Sequence, residues 1–305
     1  MKEFKVTVLG SGSAVPTSWH NPSAQLLQYF NQQYLIDCGE GTQMQMIKYK
    51  VKHNNLNHVF ISHLHGDHFF GLIGLINTFH LLRREKPLHL YAPKDLNEII
   101  QVQLRLSNTK LGYPFEFHPL EKQKAINLFE NDFLTVRAFP LKHSAPVWGF
   151  RFTEKPLQAN IDKAFIKKYH PSVRQIHEIK AGADYYSEKG EVVKNEQILM
   201  PTKPARSFAY CSDTAYLEST ARYVKGVDLL YHESTFDNSR EEMAEITLHS
   251  TAAQAAMVAK KAGVSKLLLG HYSARFKKDA QILRDEAREI FPESYLSNEG
   301  EVYTL

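Results

Sequence analysis

His63-Leu-His65-Gly-Asp67-His68 places four metal-ligand side chains within six residues, directly behind the apolar run His58-Val-Phe-Ile-Ser62. No other feature of the chain restricts its fold as much. Residues two apart on an extended or tightly turning loop point the same way, so His63 and His65 can grip one ion. Asp67 and His68, on the next turn, can face a second. Imidazole mixed with carboxylate is the ligand set of zinc, manganese or iron. A loop of this kind after a buried strand needs a fold that brings further ligands to it from a distance.

Four candidates stand where such a fold would put them. His143 follows the strand-like run 133–139, Asp213 follows Ala209-Tyr-Cys-Ser, and His271 follows Leu267-Leu-Leu-Gly. His249 precedes a helix whose Thr251 and Gln254 have the spacing of a capping box. Polar side chains just past the C-terminal ends of apolar strands are where α/β folds build their sites. The periodicity supports that class. Strands are read at 4–9, 24–30, 33–36, 58–62, 88–91, 133–139, 148–152, 208–211, 228–231 and 266–269. Helices are read at 42–50, 69–84, 96–106, 217–224, 251–262 and 279–290.

The regular alternation favours one domain over residues 1–305, interrupted once. Residues 153–203 show no clear period and contain Pro156, Pro171 and Pro201, so they are read as an inserted basic arm. Charge agrees. The chain carries +4, residues 151–206 hold 11 Lys/Arg against 7 Asp/Glu, and the remainder balances at 26 against 26. A neutral body with one basic segment is suited to a local contact with an anionic partner. No apolar run approaches the roughly 18 residues of a membrane span. Two cysteines, Cys38 and Cys211, make no disulfide framework, and the opening residues lack a secretory pattern, so a cytoplasmic protein is expected.

The chain resembles the metallo-β-lactamase superfamily and, within it, the ribonuclease Z family of tRNA 3′-end processing endonucleases. The resemblance rests on Leu9-Gly-Ser-Gly12, Ile36-Asp-Cys-Gly-Glu-Gly-Thr-Gln43, the histidine loop, Tyr210-Cys-Ser-Asp-Thr214, His232-Glu-Ser-Thr235, His249-Ser-Thr251 and Gly270-His-Tyr-Ser-Ala-Arg275. It implies an αβ/βα sandwich with a protruding arm and two Zn2+ ions per chain. One ion would be held by His63, His65 and His143, the other by Asp67, His68 and His271, with Asp213 bridging. Chemistry supports this independently, since two metals about 3.5–4 Å apart can clamp a phosphodiester and supply hydroxide at neutral pH. Histidine at position 65, rather than glutamate, argues against the di-iron flavoprotein branch. A carboxylate such as Asp37 is expected to orient a ligand imidazole.

The resemblance further implies removal of the 3′ trailer from precursor tRNA, leaving a 3′ hydroxyl on the tRNA and a 5′ phosphate on the trailer. Asp67 would orient or deprotonate the attacking water. His249 would protonate the leaving 3′ oxygen, with Glu233 keeping it charged. Ser273 and Arg275 are suited to grip a phosphate. Lys163, Lys167, Lys168, Arg174 and Lys180 would contact tRNA phosphates without reading sequence. A homodimer is implied, in which the arm reaches RNA on the other subunit. The sequence departs from the family at the arm, His170-Pro-Ser-Val-Arg174, which lacks the usual Gly-Pro. It departs again at Ser18 and His20, where many members have Lys and Arg. Trp19 and His20 are candidates to stack on a terminal base. Two other readings are a hydrolase of the same fold acting on a small phosphodiester and a noncatalytic RNA-binding scaffold. The complete ligand set favours catalysis.

Overall fold

The computed structural model describes residues 3–121, 124–156, 159–187, 190–201 and 204–305. They separate into two compact units, one of residues 1–130, 135–152 and 206–305, the other of residues 131–134 and 153–205.

The larger unit is built on two seven-stranded sheets. The first uses β1 (Phe4–Gly10), β2 (Ala24–Tyr29), β3 (Gln32–Ile36), β4 (Leu56–Phe60), β5 (Leu88–Pro93) and β6 (Phe115–Leu120). The second uses β7 (Ile126–Glu130), β8 (Leu134–Pro140), β9 (Trp148–Glu154), β12 (Ser207–Cys211), β13 (Leu229–Glu233), β14 (Lys266–Gly270) and β15 (Ser294–Leu296); β10 (Tyr185–Tyr186) and β11 (Val192–Val193) pair within the smaller unit. The last strand, β16 (Val302–Thr304), returns to pair with β1. In spatial order the sheets run β16-β1-β2-β3-β4-β5-β6 and β15-β14-β13-β12-β9-β8-β7. β3 through β6 are parallel, as are β12 through β15.

Alternation along these strands sends two sets of side chains to two different cores. Inward, Phe60 meets Phe150 and Phe152 at 5.5 and 5.4 Å, and Tyr34 meets Phe152 at 6.1 Å, so aromatic rings fill the space between the sheets. Outward, Leu35, Val59, Ile61 and Leu90 pack under the helices Thr42–Lys48, Leu72–Leu81 and Leu96–Leu106. On the other sheet Ala209, Leu230, Leu267 and Leu269 pack under Ala252–Ala262 and Gln281–Ile290. The result is an α/β sandwich of helix, sheet, sheet and helix layers.

Three sequence readings change. The helix read over 69–84 is two, Gly66–Phe69 and Leu72–Leu81, parted where Gly71 packs so tightly on the Gly39 carbonyl that no side chain fits. The helix read at 217–224 is a short 3-10 turn, Glu218–Arg222. The segment without a clear period holds helices at Lys163–Tyr169 and Val173–Lys180 around a small core of Ile161, Phe165, Ile179, Tyr185 and Ile198. Residues 157–158, 188–189 and 202–203 of the proposed arm lie outside the described residues.

Candidate metal centre

Every candidate ligand sits just beyond a strand of the larger unit, and the chain brings all seven together. His63, His65, His143 and Asp213 form one group and Asp67, His68 and His271 another, with ligand atoms within 4.8 Å of one another in each. Asp213 stands between the groups. Its Oδ2 lies 3.7 Å from His63 Nε2 and 3.8 Å from His143 Nε2, and its Oδ1 lies 3.3 Å from His68 Nε2 and 3.2 Å from His271 Nε2. Asp67 Oδ2 is 3.4 Å from His271 Nε2 and 3.5 Å from His68 Nε2, while His65 Nδ1 is 3.2 Å from His143 Nε2.

The outer nitrogens of four imidazoles decide what the inner ones present. His68 Nδ1 donates to Asp37 Oδ2 at 2.8 Å, and His143 Nδ1 donates to the Leu248 carbonyl at 2.9 Å. His63 Nδ1 lies 3.0 Å from Ser62 Oγ, whose own hydrogen goes to Asp37 Oδ2. His271 Nδ1 lies 2.9 Å from Thr235 Oγ1, whose hydrogen goes to Glu233 Oε2. Each Nδ1 is therefore the protonated atom, and each Nε2 turns a lone pair inward. Four lone pairs and two carboxylates then crowd one buried point with no hydrogen between them. His63 Nε2, His68 Nε2 and Asp213 Oδ1 indeed have no hydrogen-bond partner among the described residues. Only cations relieve such an arrangement, so the residues fit a divalent metal centre.

Without a metal the cation available is a proton: burial disfavours charge on His68, but the carboxylates of Asp213, Asp67 and Asp37 raise it well above the usual imidazole range. Burial opposes ionisation of Asp213 and Asp67, but the surrounding imidazoles outweigh it and hold both carboxyls below their usual range. Burial and the neighbouring His68 push His63 well down, towards the neutral form that binds metal.

Backbone strain is concentrated here as well. Asp37, Leu248, His271 and Ala14, whose N–H donates to Asp67 Oδ2 at 2.8 Å, all adopt positive φ without being glycine. The Asp37-Cys-Gly loop is locked to the histidine loop by Cys38 N–H to the His68 carbonyl (2.7 Å) and Gly71 N–H to the Cys38 carbonyl (2.9 Å). A side chain at Gly39 would strike the Asp67 carbonyl. Strain and close packing of this sort fix the ligands before any ion binds.

Glu233 is fully buried and accepts from the backbone of Thr214, Thr235 and Ser250, each at 3.0 Å, and from His249 Nδ1 at 2.9 Å. Burial disfavours a charged His249, yet the Glu233 carboxylate prevails and lifts its pKa to about 9. His249 borders an open cleft of about 350 Å³ together with His65, Asp67, His143, Asp213 and His271. Arg275 is exposed, rests over the Phe236 ring at 5.5 Å, and its Nε lies 3.3 Å from Ser273 Oγ. His20 is occupied, with Nε2 2.7 Å from the Lys277 carbonyl and Nδ1 3.3 Å from Ser11 Oγ, and Lys278 covers the Trp19 ring at 4.2 Å.

In the smaller unit Lys163, Lys167, Lys168, Arg174 and Lys180 are all exposed. Arg174 pairs with Glu178 at 2.9 Å, and Lys168 lies 2.6 Å from the Tyr169 hydroxyl. Sequence reasoning missed Thr235, Ser62, Tyr210 and the Leu248 carbonyl. Thr235 had a signal, standing at the end of the quoted His-Glu-Ser-Thr motif. Tyr210 opens the quoted Tyr-Cys-Ser-Asp-Thr motif and Ser62 stands beside His63, but their shared partner Asp37 lies 173 and 25 residues away, and the Leu248 carbonyl, 105 residues from His143, has no signal.

The layered fold and the histidine–aspartate centre define a metal-dependent hydrolase of the metallo-β-lactamase superfamily. Comparison with known proteins agrees. Residues 198–272 match the beta-lactamase superfamily domain, and residues 4–180 match the family described as Anti-Pycsar protein Apyc1. The ribonuclease Z of Bacteroides fragilis is 42% identical over 300 residues, 98% of each chain, and that of Cytophaga hutchinsonii is 43% identical over 299 residues, 98% of this chain and 95% of the relative. The crystal structure of human tRNase Z, short form, superposes with a TM-score of 0.73 at 27% identity, covering 98% of both chains. The chain belongs to the ribonuclease Z family and is an endoribonuclease.

Proposed function

We propose that this endoribonuclease removes the 3′ trailer of precursor tRNA with two zinc ions, one on His63, His65 and His143, the other on Asp67, His68 and His271, bridged by Asp213. Processing of tRNA 3′ ends is the activity of its family. The observation that carries the metal assignment is the division of Asp213, with one carboxylate oxygen towards each group of imidazoles. When bound, such an ion pair activates water at neutral pH and offsets charge on a scissile phosphate.

The remaining work falls to side chains. Asp67, at the edge of the cleft, orients the attacking water and takes its proton. His249, kept charged by Glu233, gives a proton to the departing 3′ oxygen of the tRNA. That transfer leaves a 3′ hydroxyl on the tRNA and a 5′ phosphate on the trailer. Ser273 and Arg275 hold a phosphate next to the cleft, Arg275 with its guanidinium steadied on Phe236. The basic arm, through Lys163, Lys167, Lys168 and Arg174, binds the body of the tRNA by its phosphates.

The protein is further read as a cytoplasmic homodimer. Its two cysteines are buried and unpaired, which suits a reducing compartment, and among the described residues no helix is long and apolar enough to cross a membrane. Met44 and Ile47 on one helix are about two-thirds exposed, at 66% and 65%, as is Phe70 at 63%, and apolar side chains so open favour burial against a second copy. The test of the activity is cleavage of a precursor tRNA carrying a 3′ trailer, with both new ends mapped. One cut giving a tRNA 3′ hydroxyl, lost on chelation and restored by Zn2+, is expected. Cleavage indifferent to chelator, or a 3′ phosphate product, would overturn the reading.

A further inference from the structure

A second cluster of ligand side chains lies on the strand bodies, away from the strand ends that carry the site above. His58, His89 and Glu116 are register partners across β4, β5 and β6, and Tyr91 partners His118 two residues further along. Register partners share a face, so His89, Glu116 and His118 converge on one patch of the edge of the first sheet. His89 Nδ1 is 3.2 Å from His118 Nε2 and 3.2 Å from Glu116 Oε2, and the three ligand atoms lie within 4.8 Å of one another.

Hydrogen bonding alone serves this geometry badly. His89 Nδ1 carries at most one hydrogen: when present it must be shared between His118 Nε2 and Glu116 Oε2, and when absent a ring lone pair faces the carboxylate. A tetrahedral ion with ligands at about 2.0–2.1 Å holds its donor atoms roughly 3.3 Å apart. That is close to the 3.2 Å found here, and the same as the separation of His65 and His143 in the catalytic centre. The rings are also fixed in place. His118 stacks on Tyr91 at 4.4 Å and 12°, and His89 stacks on His58 at 4.9 Å and 13°. His58 is 7% exposed, and its Nδ1 has no hydrogen-bond partner among the described residues, an imidazole at a place where its neighbours Phe60 and Tyr34 are plain aromatic packing. The His89 and Glu116 side chains are 23% and 50% exposed, so a fourth position is open to water.

We propose that His89, Glu116 and His118 form a separate, open site for a transition-type divalent cation, zinc by ligand preference, which staples the edge strand β6 to β5. β6 ends its sheet, and among the described residues no strand pairs on its far side. An ion joining it to β5 holds it more firmly than backbone pairing on one side alone.

The test uses full-length protein, with Zn2+ as the probe at chelator-buffered micromolar concentration. Bound metal is counted after gel filtration, and Tm is measured with and without zinc. Glu116→Gln and His118→Gln are each expected to hold one zinc fewer than wild type, and their zinc-dependent rise in Tm to be smaller by about 4 °C. Their cleavage of precursor tRNA should match wild type. In an Asp213→Ala background, where the catalytic centre is crippled, one zinc should persist and disappear when His118→Gln is added, which separates failure of this site from failure of the catalytic assignment. Glu116 is half exposed and its replacement leaves the core untouched. Equal zinc content and equal zinc-dependent Tm shifts in wild type and both variants would overturn the proposal, with zinc on wild type then no more than adventitious.

Discussion

Asp37→Asn tests whether the catalytic imidazoles are set from behind. Asp37 is fully buried; Oδ1 accepts from Ser62 N–H at 2.7 Å, and Oδ2 accepts from His68 Nδ1, Ser62 Oγ and Tyr210 OH at 2.8, 2.9 and 2.7 Å. Asparagine keeps the shape and can keep the Ser62 N–H bond, but it turns an NH2 group towards the other three. The two hydroxyls can rotate to accept. The imidazole can do so only by moving its proton from Nδ1 to Nε2, the atom that faces Asp213 at 3.3 Å. Loss of an orienting partner of this kind costs about 10–100-fold in metal affinity, or about 1.4–2.7 kcal/mol. If the tautomer does not change, a buried donor is left unmet instead, at about 1–3 kcal/mol of stability, or about 2–6 °C in Tm for a chain of this size. Competition with a chromogenic chelator measures the first and thermal unfolding of the metal-free protein the second. Tyr210→Phe, which removes one donor to Asp37 without touching His68, should leave metal affinity nearly unchanged. An Asp37→Asn protein with both wild-type zinc affinity and wild-type Tm would refute the argument.

Further outcomes follow from the site and from the arm. His249→Ala should cut kcat on precursor tRNA by about 10²–10⁴-fold with metal content unchanged, and Glu233→Gln should lower kcat in the same direction; near-normal turnover in His249→Ala would remove it as proton donor. Deletion of residues 160–197 should raise KM for precursor tRNA and flatten its salt dependence while sparing hydrolysis of a small phosphodiester ester, and equal loss on both substrates would contradict the arm's role.

What the sequence disclosed follows from how local each signal is. The histidine loop concentrates four ligands in six residues, so its chemistry needs no tertiary knowledge. The Thr251–Gln254 capping box is equally local and is present as read, Thr251 Oγ1 accepting from Gln254 N–H. His143, Asp213 and His271 were found because each ends a strong apolar run. Harder to see were β6, where Pro119 sits in an edge strand with alternating half-exposed residues, and β15 and β16, each of three residues. The arm helices were passed over for their mixed composition, although Ser172 and Gln175 form a capping box that had the right spacing. The pairing of Asp37 with Tyr210, and of His143 with the Leu248 carbonyl, spans 173 and 105 residues and has no sequence signature.

The central claim is a pair of ions sharing one carboxylate. Crystals grown with zinc, measured on both sides of the zinc absorption edge, would locate them directly. Two anomalous peaks on either side of Asp213, one against His63, His65 and His143 and the other against Asp67, His68 and His271, are expected. A single peak, or none within reach of Asp213, would contradict the account.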